Sequence, residues 1–338
     1  MTHRLRLVHD SLDVLVELSV GASYFDPDHP CSLEELLERA GLVASTSMSR
    51  RAWLLFAAMC VIWGLPYLMI RVAVGELHPV TLVFFRTALA GLLLLPAAAA
   101  RGELRPLLRR WAPLLAYTVA EVGVPWLLLA SAEERVSSSL SALVIAAVPL
   151  VAALLLRERL GARRLVGLAV GFAGVAALVG LDGSGAGPRQ LLELAVVVVG
   201  YATGPIILAR RLADLPALGV VTASLLATAV AYAPAAAFDL PSSLPGVSVL
   251  ASVVGLAVVC TAVAFVLFFA LIAEIGPVRA TVITYINPAV ATVLGVALLG
   301  EPLTGGMVIG FVLVIAGSLL ATRRERAEPV PVVAAREG

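Results

Sequence analysis

The sequence Glu158-Arg159-Leu160 returns 143 positions later as Glu301-Pro302-Leu303. Both copies are followed, at the same distances, by the same small residues, which are Gly167, Ala173 and Gly174 after the first copy and Gly310, Ala316 and Gly317 after the second. Pro66 and Arg71 are matched at a similar distance by Pro205 and Arg210. The chain is therefore built from two related halves.

The composition is that of a membrane protein. Of the 338 residues, 60% are hydrophobic and 14% are charged, and the mean hydropathy is +1.00. A soluble domain of this length would need far more polar residues to cover its surface. Cys31, Cys60 and Cys260 are too scattered to predict a disulfide framework or a metal site.

Ten apolar segments have the length that a membrane-spanning helix requires. They lie at about 53–74, 80–100, 111–130, 138–156, 165–181, 190–208, 216–237, 248–272, 279–299 and 305–321. We therefore predict an all-α membrane protein with ten transmembrane helices, five in each half. Because five is an odd number, the second half must enter the membrane in the opposite orientation, so the halves form inverted repeats. Secondary transporters use this arrangement to expose one site to either face of the membrane.

The arginines predict the orientation of the chain. If the residues before the first span are cytoplasmic, the cytoplasmic segments carry 17 arginines, whereas the opposite face carries only Arg135 and Arg189. Basic residues concentrate on the cytoplasmic side of membrane proteins. We therefore expect a multi-pass protein of the cell membrane with both termini in the cytoplasm.

Both ends of the chain differ from the apolar middle. Residues 1–47 hold Ser32 and Glu35 in a helix-capping pattern, which indicates a small cytoplasmic extension, unless the native start is Met48 just before the first span. The predicted organisation is this extension at 1–47, a first five-helix repeat at 48–181, a second at 182–322 and a disordered cytoplasmic tail at 323–338.

Several short motifs are shared with a known family of permeases. They are Trp63-Gly64 in the first span, Phe85-Arg86 with Ala88 and Ala90 in the second, and Pro288, Gly300-Glu301 and Gly310 near the end. With the five-plus-five repeat, they resemble the EamA family of the drug/metabolite transporter superfamily over about residues 50–322. The resemblance implies a secondary transporter, often an exporter of amino acids or other small metabolites. It also implies a central cavity lined by spans one to four and six to nine.

Glu121 lies near the middle of the third predicted span. An acidic residue at this depth costs about 2.5–3.5 kcal/mol on insertion scales, so its side chain should face a cavity or a partner. Two interpretations are open. Glu121 is either a carboxylate that binds a substrate amine or carries a coupling proton, or one half of a buried ion pair.

Arg86, in the second span, is the expected partner of Glu121. It falls on the arginine of the family motif, and a contact with a substrate carboxylate or phosphate is the sharper interpretation of its role. The alternative is that its long side chain extends to the lipid headgroups.

The ninth span contributes further polar side chains, namely Thr281, Thr284, Tyr285 and Asn287. Pro288 follows them and lacks an amide donor, so we expect a broken helix with a free carbonyl, which is a common setting for a transporter site. Interhelical hydrogen bonding is the alternative. Aromatic side chains that can line a cavity, with simple packing as the alternative, are Trp63, Tyr67, Tyr117, Trp126 and Tyr201.

Two other features are interpreted as structural. Spans five and ten carry spaced glycines, which predict close packing of helices in lipid. Glu158 and Glu301 stand at span ends and are assigned to the repeat architecture rather than to transport.

Several functional classes are disfavoured. The chain has no P-loop pattern, its four histidines lie outside the spans, and it has no basic surface interleaved with aromatic residues for nucleic acid. We expect a protein that is not an enzyme and that uses no cofactor or metal. The expected partners are a small-molecule substrate and the lipid bilayer, with protons as the candidate coupling ion and a second copy of the chain, in a homodimer, as a candidate partner.

The sequence therefore predicts a secondary active transporter that exports small metabolites, such as amino acids, amines or drug-like compounds. Alternating access around Glu121, Arg86 and the ninth span is the expected mechanism. The alternatives are a flippase for lipids or lipid-linked sugars with the same fold, an integral membrane enzyme that modifies lipids, and a permease subunit of an ATP-driven importer.

Overall fold

The fold is taken from a computed structural model, which describes residues 48–156, 162–180, 186–276, 280 and 282–322. The predicted extension at 1–47, the predicted tail, Glu158 and Thr281 lie outside the described residues. Contacts within the chain divide it into Met1–Trp53 and Leu54–Gly338. Of the first unit, the description covers only residues 48–53, where the first helix begins at Arg50.

The helices of the described residues group into ten segments. In chain order they are α1 (Arg50–Ala73), α2 (Pro79–Ala100), α3 (Arg105–Glu133), α4 (Ser138–Leu155), α5 (Ala162–Gly180), α6 (Pro188–Arg211), α7 (Ala217–Phe238), α8 (Val247–Ile275), α9 (Ile283–Leu299) and α10 (Gly305–Thr322). All regular structure in this part of the chain is helical. The prediction of an all-α membrane protein is therefore confirmed.

Seven of these segments are long and apolar enough to cross a membrane by length and composition. They are α1 to α4 and α6 to α8. The apolar helical stretches in the other three are shorter and cover Leu165–Ala177, Ile283–Leu299 and Gly305–Leu320. The count of ten membrane spans thus stays a prediction, although each predicted span coincides with a helical segment.

Four helices are irregular within the predicted membrane region. α1 is interrupted after Ile62 and resumes at Leu65, because Pro66 has no amide hydrogen to continue the helical bonding. α4 is interrupted in the same way between Ile145 and Val148. α3 and α8 each contain a six-residue π-helical turn, Thr118–Gly123 and Val258–Val263. Such turns are frequent at functional sites.

The helices of the two halves pack in a pattern that is unchanged when the halves are exchanged. α2 packs on α7, α4 on α9 and α5 on α10, which are equivalent pairs in the repeat. In the remaining pairs, α1 packs on α8 and α3 packs on α6. In the repeat, α1 corresponds to α6 and α3 corresponds to α8, so these last two pairs are also equivalent to each other. The two π-helical turns also occupy equivalent positions.

The equivalent helices α2 and α7 run in opposite directions. The carboxylate of Glu103, just after α2, accepts a hydrogen bond from the amide of Gly219 at the start of α7, at 3.0 Å. At the other end, the hydroxyl of Thr81 in α2 donates to the carbonyl of Asp239, just after α7, at 3.2 Å. Two equivalent helices that pack in opposite directions are what inverted repeats require.

The prediction of a broken helix at Pro288 is wrong. α9 runs without interruption from Ile283 to Leu299 and contains Pro288 as its sixth residue. The missing amide of Pro288 removes only the hydrogen bond to the carbonyl of Thr284, close to the helix start, so the rest of the helix is unaffected.

Candidate functional site

Arg86 is buried in the middle of the bundle, with 7% of its surface exposed. Its guanidinium carbon lies 3.6 Å from the ring centre of Trp126 in α3, which is a cation–π contact. Its Nε donates a hydrogen bond of 3.1 Å to the hydroxyl of Thr261, which belongs to the π-helical turn of α8. Arg86 therefore joins α2, α3 and α8 and does not extend to the headgroups.

Other predicted site residues gather around Arg86. Tyr67 of α1 and Tyr201 of α6 lie close enough to interact electrostatically with its guanidinium, as do Cys260 and Glu133. Tyr67 is buried, and Tyr201 packs against the same apolar core. We define the Arg86 cluster as Arg86, Tyr67, Trp126, Tyr201 and Thr261. It is contributed by five different helices, so it lies where they converge.

Glu121 lies in the π-helical turn of α3 and is half-buried. One of its carboxylate oxygens, Oε2, is buried and has no hydrogen-bond partner among the described residues. The side chain packs against the backbone of Gly204 in α6, where an added Cβ would overlap Oε2 and would lie 2.9 Å from the Cβ of Glu121. A glycine at 204 is therefore what leaves space for this carboxylate.

The expected ion pair between Arg86 and Glu121 is absent from the part of the chain that the structure describes. Arg86 instead binds Thr261, which stands 140 positions after Glu121 and occupies the equivalent place in the second π-helical turn. The repeat counterpart of Arg86 lies near Ser224, which accepts a hydrogen bond of 3.0 Å from Thr118 in the first π-helical turn. Each half thus contacts the π-helical turn of the other, but only one half supplies a cation.

Trp63 and Tyr117 are placed in separate apolar clusters. Trp63 packs against Phe268 and Phe265 of α8, with ring centres 4.7 Å and 6.0 Å apart. Tyr117 is buried among Leu107, Leu212 and Val220, although it is near enough to Glu121 to interact with it electrostatically. Both side chains pack in apolar surroundings, and their assignment to a substrate site stays a prediction.

Asn287 stabilises the interruption in α1. At the break, the amide of Gly64 bonds to Val61, which leaves the carbonyl of Cys60 without its usual helical donor. With its amide nitrogen turned toward the backbone, Asn287 donates to this carbonyl at 3.1 Å and to the carbonyl of Ile283 at 2.9 Å. In this orientation Asn287 makes an interhelical hydrogen bond to α1, and its assignment to a substrate site stays a prediction.

We expect Asn287→Leu to lower the free energy of unfolding by about 1–3 kcal/mol, because it leaves the buried carbonyl of Cys60 unpaired. Thr292→Val on the same helix is the control, since the Thr292 hydroxyl bonds only to its own helix at Pro288. Unfolding of the purified protein in detergent measures both. Equal stability of Asn287→Leu and the wild type would contradict this role.

The remaining predicted residues of the ninth span lie near the first turn of α9. Thr284 is exposed and Tyr285 is half-buried. Thr281 lies outside the described residues, so its assignment to the site stays a prediction.

Two acidic residues have contacts that the sequence did not predict. Glu133, the last residue of α3, is fully buried, and a guanidinium nitrogen of Arg71 donates to its main-chain carbonyl. Glu301 accepts hydrogen bonds from Ser138 and Ser139 at the start of α4. One signal was available for Glu133. The pair Ala132-Glu133 returns as Ala273-Glu274 at the end of α8.

Each half of the chain matches the sequence profile of one known family. The sequence profile of the EamA-like transporter family matches residues 50–180 and again residues 190–323. The protein belongs to the EamA-like transporter family. The two matches fall on the two halves that the internal repeat defines.

Two of its relatives are described as transporters, one from a bacterium and one from an archaeon. The inner membrane transporter YedA of Escherichia coli strain K12, uncharacterized by its name, is 29% identical over 288 residues, which are 81% of this chain and 93% of YedA. An uncharacterized transporter of Archaeoglobus fulgidus is 25% identical over 285 residues, which are 81% of this chain and 99% of the relative. A solved crystal structure matches with a TM-score of 0.59 at 25% identity and covers 80% of this chain and 96% of that chain.

Membership of the EamA-like family makes the chain a membrane transporter whose partners include the lipid bilayer and a small-molecule substrate. Within the family fold, α1, α2, α3, α6 and α8 supply the residues of the Arg86 cluster and Glu121. These helices come from both repeats, so a site at this position would change shape when one repeat moves relative to the other.

Proposed function

We propose that the protein is a secondary active transporter that exports small metabolites carrying an amino group, a carboxylate or both. One observation carries the proposal. A buried cation, Arg86, and an acid, Glu121, lie in the same bundle of helices and are not paired with each other. Charged side chains within a membrane region are costly and usually serve a ligand or ion pathway.

Arg86 is suited to bind a carboxylate. Thr261, which binds Nε, is its only hydrogen-bond acceptor among the described residues, so both Nη groups are available to a ligand. Guanidinium groups bind carboxylates through two parallel hydrogen bonds, and the stacking on Trp126 fixes the plane of the group.

Glu121 is suited to bind a positively charged group of the substrate. Its Oε2 has no partner among the described residues and faces the backbone of Gly204. An ammonium group of a substrate, or a coupling proton, would satisfy this oxygen. An amino acid carries both charges, an amine or a drug-like cation carries one, and all three classes fit this pair of residues.

The proposed mechanism is alternating access by two inverted repeats. The opposite directions of α2 and α7 and the symmetric pairing of the helices support it. Under the orientation that the arginines predict, α1 begins and α10 ends on the cytoplasmic side. Rocking of one repeat against the other would then expose the Arg86 cluster first to the cytoplasm and then to the outside.

The test compares the extracellular small-molecule profiles of cells that produce the wild type, Glu121→Gln or Glu134→Gln at matched levels in the membrane. Glu134 is exposed just after α3 and serves as the control. We expect one or more amino acids or amines to accumulate outside with the wild type and the control. With Glu121→Gln we expect a loss of about tenfold or more, since a hydrogen bond to a charged group contributes about 1.5–3 kcal/mol.

Two results would contradict the proposal. If Glu121→Gln exports as the wild type does and keeps its pH dependence, Glu121 has no part in coupling or binding. If no strain enriches any metabolite outside, export is wrong, and uptake and lipid translocation are then measured in vesicles with labelled amino acids and labelled phospholipid.

A further inference from the structure

Glu133 is the most deeply buried acid among the described residues. It ends α3, none of its surface is exposed, and neither Oε1 nor Oε2 has a hydrogen-bond partner among the described residues. A buried carboxylate that bears a charge and makes no hydrogen bond is strongly destabilising. The geometry therefore favours the form of Glu133 that carries a proton.

The nearby cations do not neutralise this carboxyl group. Arg71 directs a guanidinium nitrogen to the main-chain carbonyl of Glu133 rather than to its side chain. Arg86 is held by Thr261 and Trp126. Neither arginine comes within 4.0 Å of the Glu133 carboxylate to form an ion pair among the described residues.

A second acid lies near Glu133. Glu301 interacts with it electrostatically, and the Glu301 carboxylate accepts hydrogen bonds from the amides and hydroxyls of Ser138 and Ser139 at the start of α4. A negative charge on Glu301 disfavours a second negative charge on Glu133. The titratable and charged groups that face this region are Tyr67 and Arg71 of α1, Arg86 of α2, Arg189, Glu193 and Tyr201 of α6, and Glu301 after α9.

We propose that Glu133 is a proton-binding site of the transport cycle, distinct from Glu121. In the described conformation one carboxyl oxygen carries the proton. When the corner between α3 and α4 opens, this O–H bond breaks, the proton passes to water, and Glu133 remains as a carboxylate until it is protonated again. This inference rests on the proposed function, because it assigns a coupling ion to a transporter.

The repeat shows why the environment of Glu133 should change. Ala132-Glu133 at the end of α3 corresponds to Ala273-Glu274 at the end of α8, 141 positions later. Glu133 is fully buried, whereas Glu274 is exposed. In one conformation of an alternating-access cycle, we expect one of two equivalent carboxyl groups to be buried and the other to be exposed. Exchange of the two conformations would expose Glu133 and bury Glu274.

Infrared spectroscopy of the full chain in lipid nanodiscs tests this proposal without a substrate. A protonated carboxylic acid has a carbonyl-stretch band that shifts in heavy water and disappears on ionisation. We expect the wild type to show such a band, one component of which exchanges in heavy water and declines as the pH is raised. Glu133→Gln should lose this component entirely, whereas Glu134→Gln, at the exposed neighbouring position, should keep it.

Three results would overturn the proposal. In the first, Glu133→Gln shows the same protonated carboxyl band as the wild type. In the second, the band depends on Glu133 but does not respond to pH. In the third, the band depends on Glu133 but does not shift in heavy water. If Glu133→Gln does not fold, Glu133→Asp replaces it. The component should then shift in frequency, and an unshifted band contradicts the assignment.

Together with the transport assay, these spectra distinguish failure of the proton site from failure of the proposed function. A pH-dependent component that needs Glu133, together with no transport of amino acids or amines, would leave the proton site standing and reject the proposed substrates. Export of amino acids or amines without this spectral component would support the proposed function and reject Glu133 as the proton site.

Discussion

Glu301→Ala should lower the free energy of unfolding by about 3 kcal/mol, because it removes several charge-assisted hydrogen bonds at a helix start. One carboxylate oxygen accepts from the amide and the hydroxyl of Ser138 at 2.8 Å and 2.9 Å. The other accepts from the amide of Ser139 at 3.0 Å and from its hydroxyl. A single side chain therefore satisfies two of the amides that every helix start leaves without an internal partner.

The loss should be large because, among the described residues, only Glu301 accepts from the amides of Ser138 and Ser139. Ser138 and Ser139 are fully buried, so water does not reach their amides and hydroxyls in the folded protein. Unfolding in detergent measures the effect. Glu301→Gln should fall between the wild type and Glu301→Ala, since its one oxygen can still accept from Ser138. Glu134→Ala, on the exposed loop before α4, should match the wild type, and a Glu301→Ala protein of equal stability would refute the role.

The helices could be predicted from the sequence because each depends on a local property. A run of apolar residues of membrane length is sufficient to place a helix, and each predicted span overlaps a helical segment of the described residues, seven of which are long and apolar enough to cross a membrane. The packing role of the glycines in α5 and α10 could be predicted for the same reason. The internal repeat, also visible in the sequence, relates the two halves.

The candidate site was only partly predictable. Arg86, Tyr67 and Tyr201 were predicted to belong to it, and the structure brings them together. Glu121 was predicted to be the partner of Arg86, because opposite charge was the only property in the sequence that could identify a partner. The structure uses Thr261 instead, since a π-helical turn in α8 places this hydroxyl beside Arg86, and such turns have no clear sequence signal.

The effect of a proline on its helix was also not predictable from the sequence alone. Pro66 interrupts α1, whereas Pro288 is accommodated within α9. Pro288 lies close to the start of α9, so its missing amide frees only the carbonyl of Thr284, whereas Pro66 lies in the middle of a span. Glu133 was overlooked because an acid at the end of a span usually faces water, and only the packing of α1, α2 and α6 around it shows that it is buried.

Gly317→Leu should destabilise the protein by about 3 kcal/mol or prevent its folding, which is at the upper end of the usual cost of overpacking. α5 and α10 pack closely along their length, and Gly317 of α10 faces the backbone of Gly167 and Gly171 in α5. An added Cβ at 317 would overlap three atoms of that backbone. Backbone atoms cannot move aside as a side chain would, so the two helices would have to separate and lose their contacts.

The first residue of the same helix provides a matched control. A Cβ at Gly305 would have no neighbouring atom within 4 Å, so Gly305→Leu should fold and unfold as the wild type does. Size-exclusion chromatography reports whether each variant is folded and monodisperse, and unfolding in detergent gives the change in stability. Gly317→Ala should already be destabilised, by about 1–3 kcal/mol. If Gly317→Leu were as stable as Gly305→Leu, α5 and α10 could not be in backbone contact, and this part of the fold would be wrong.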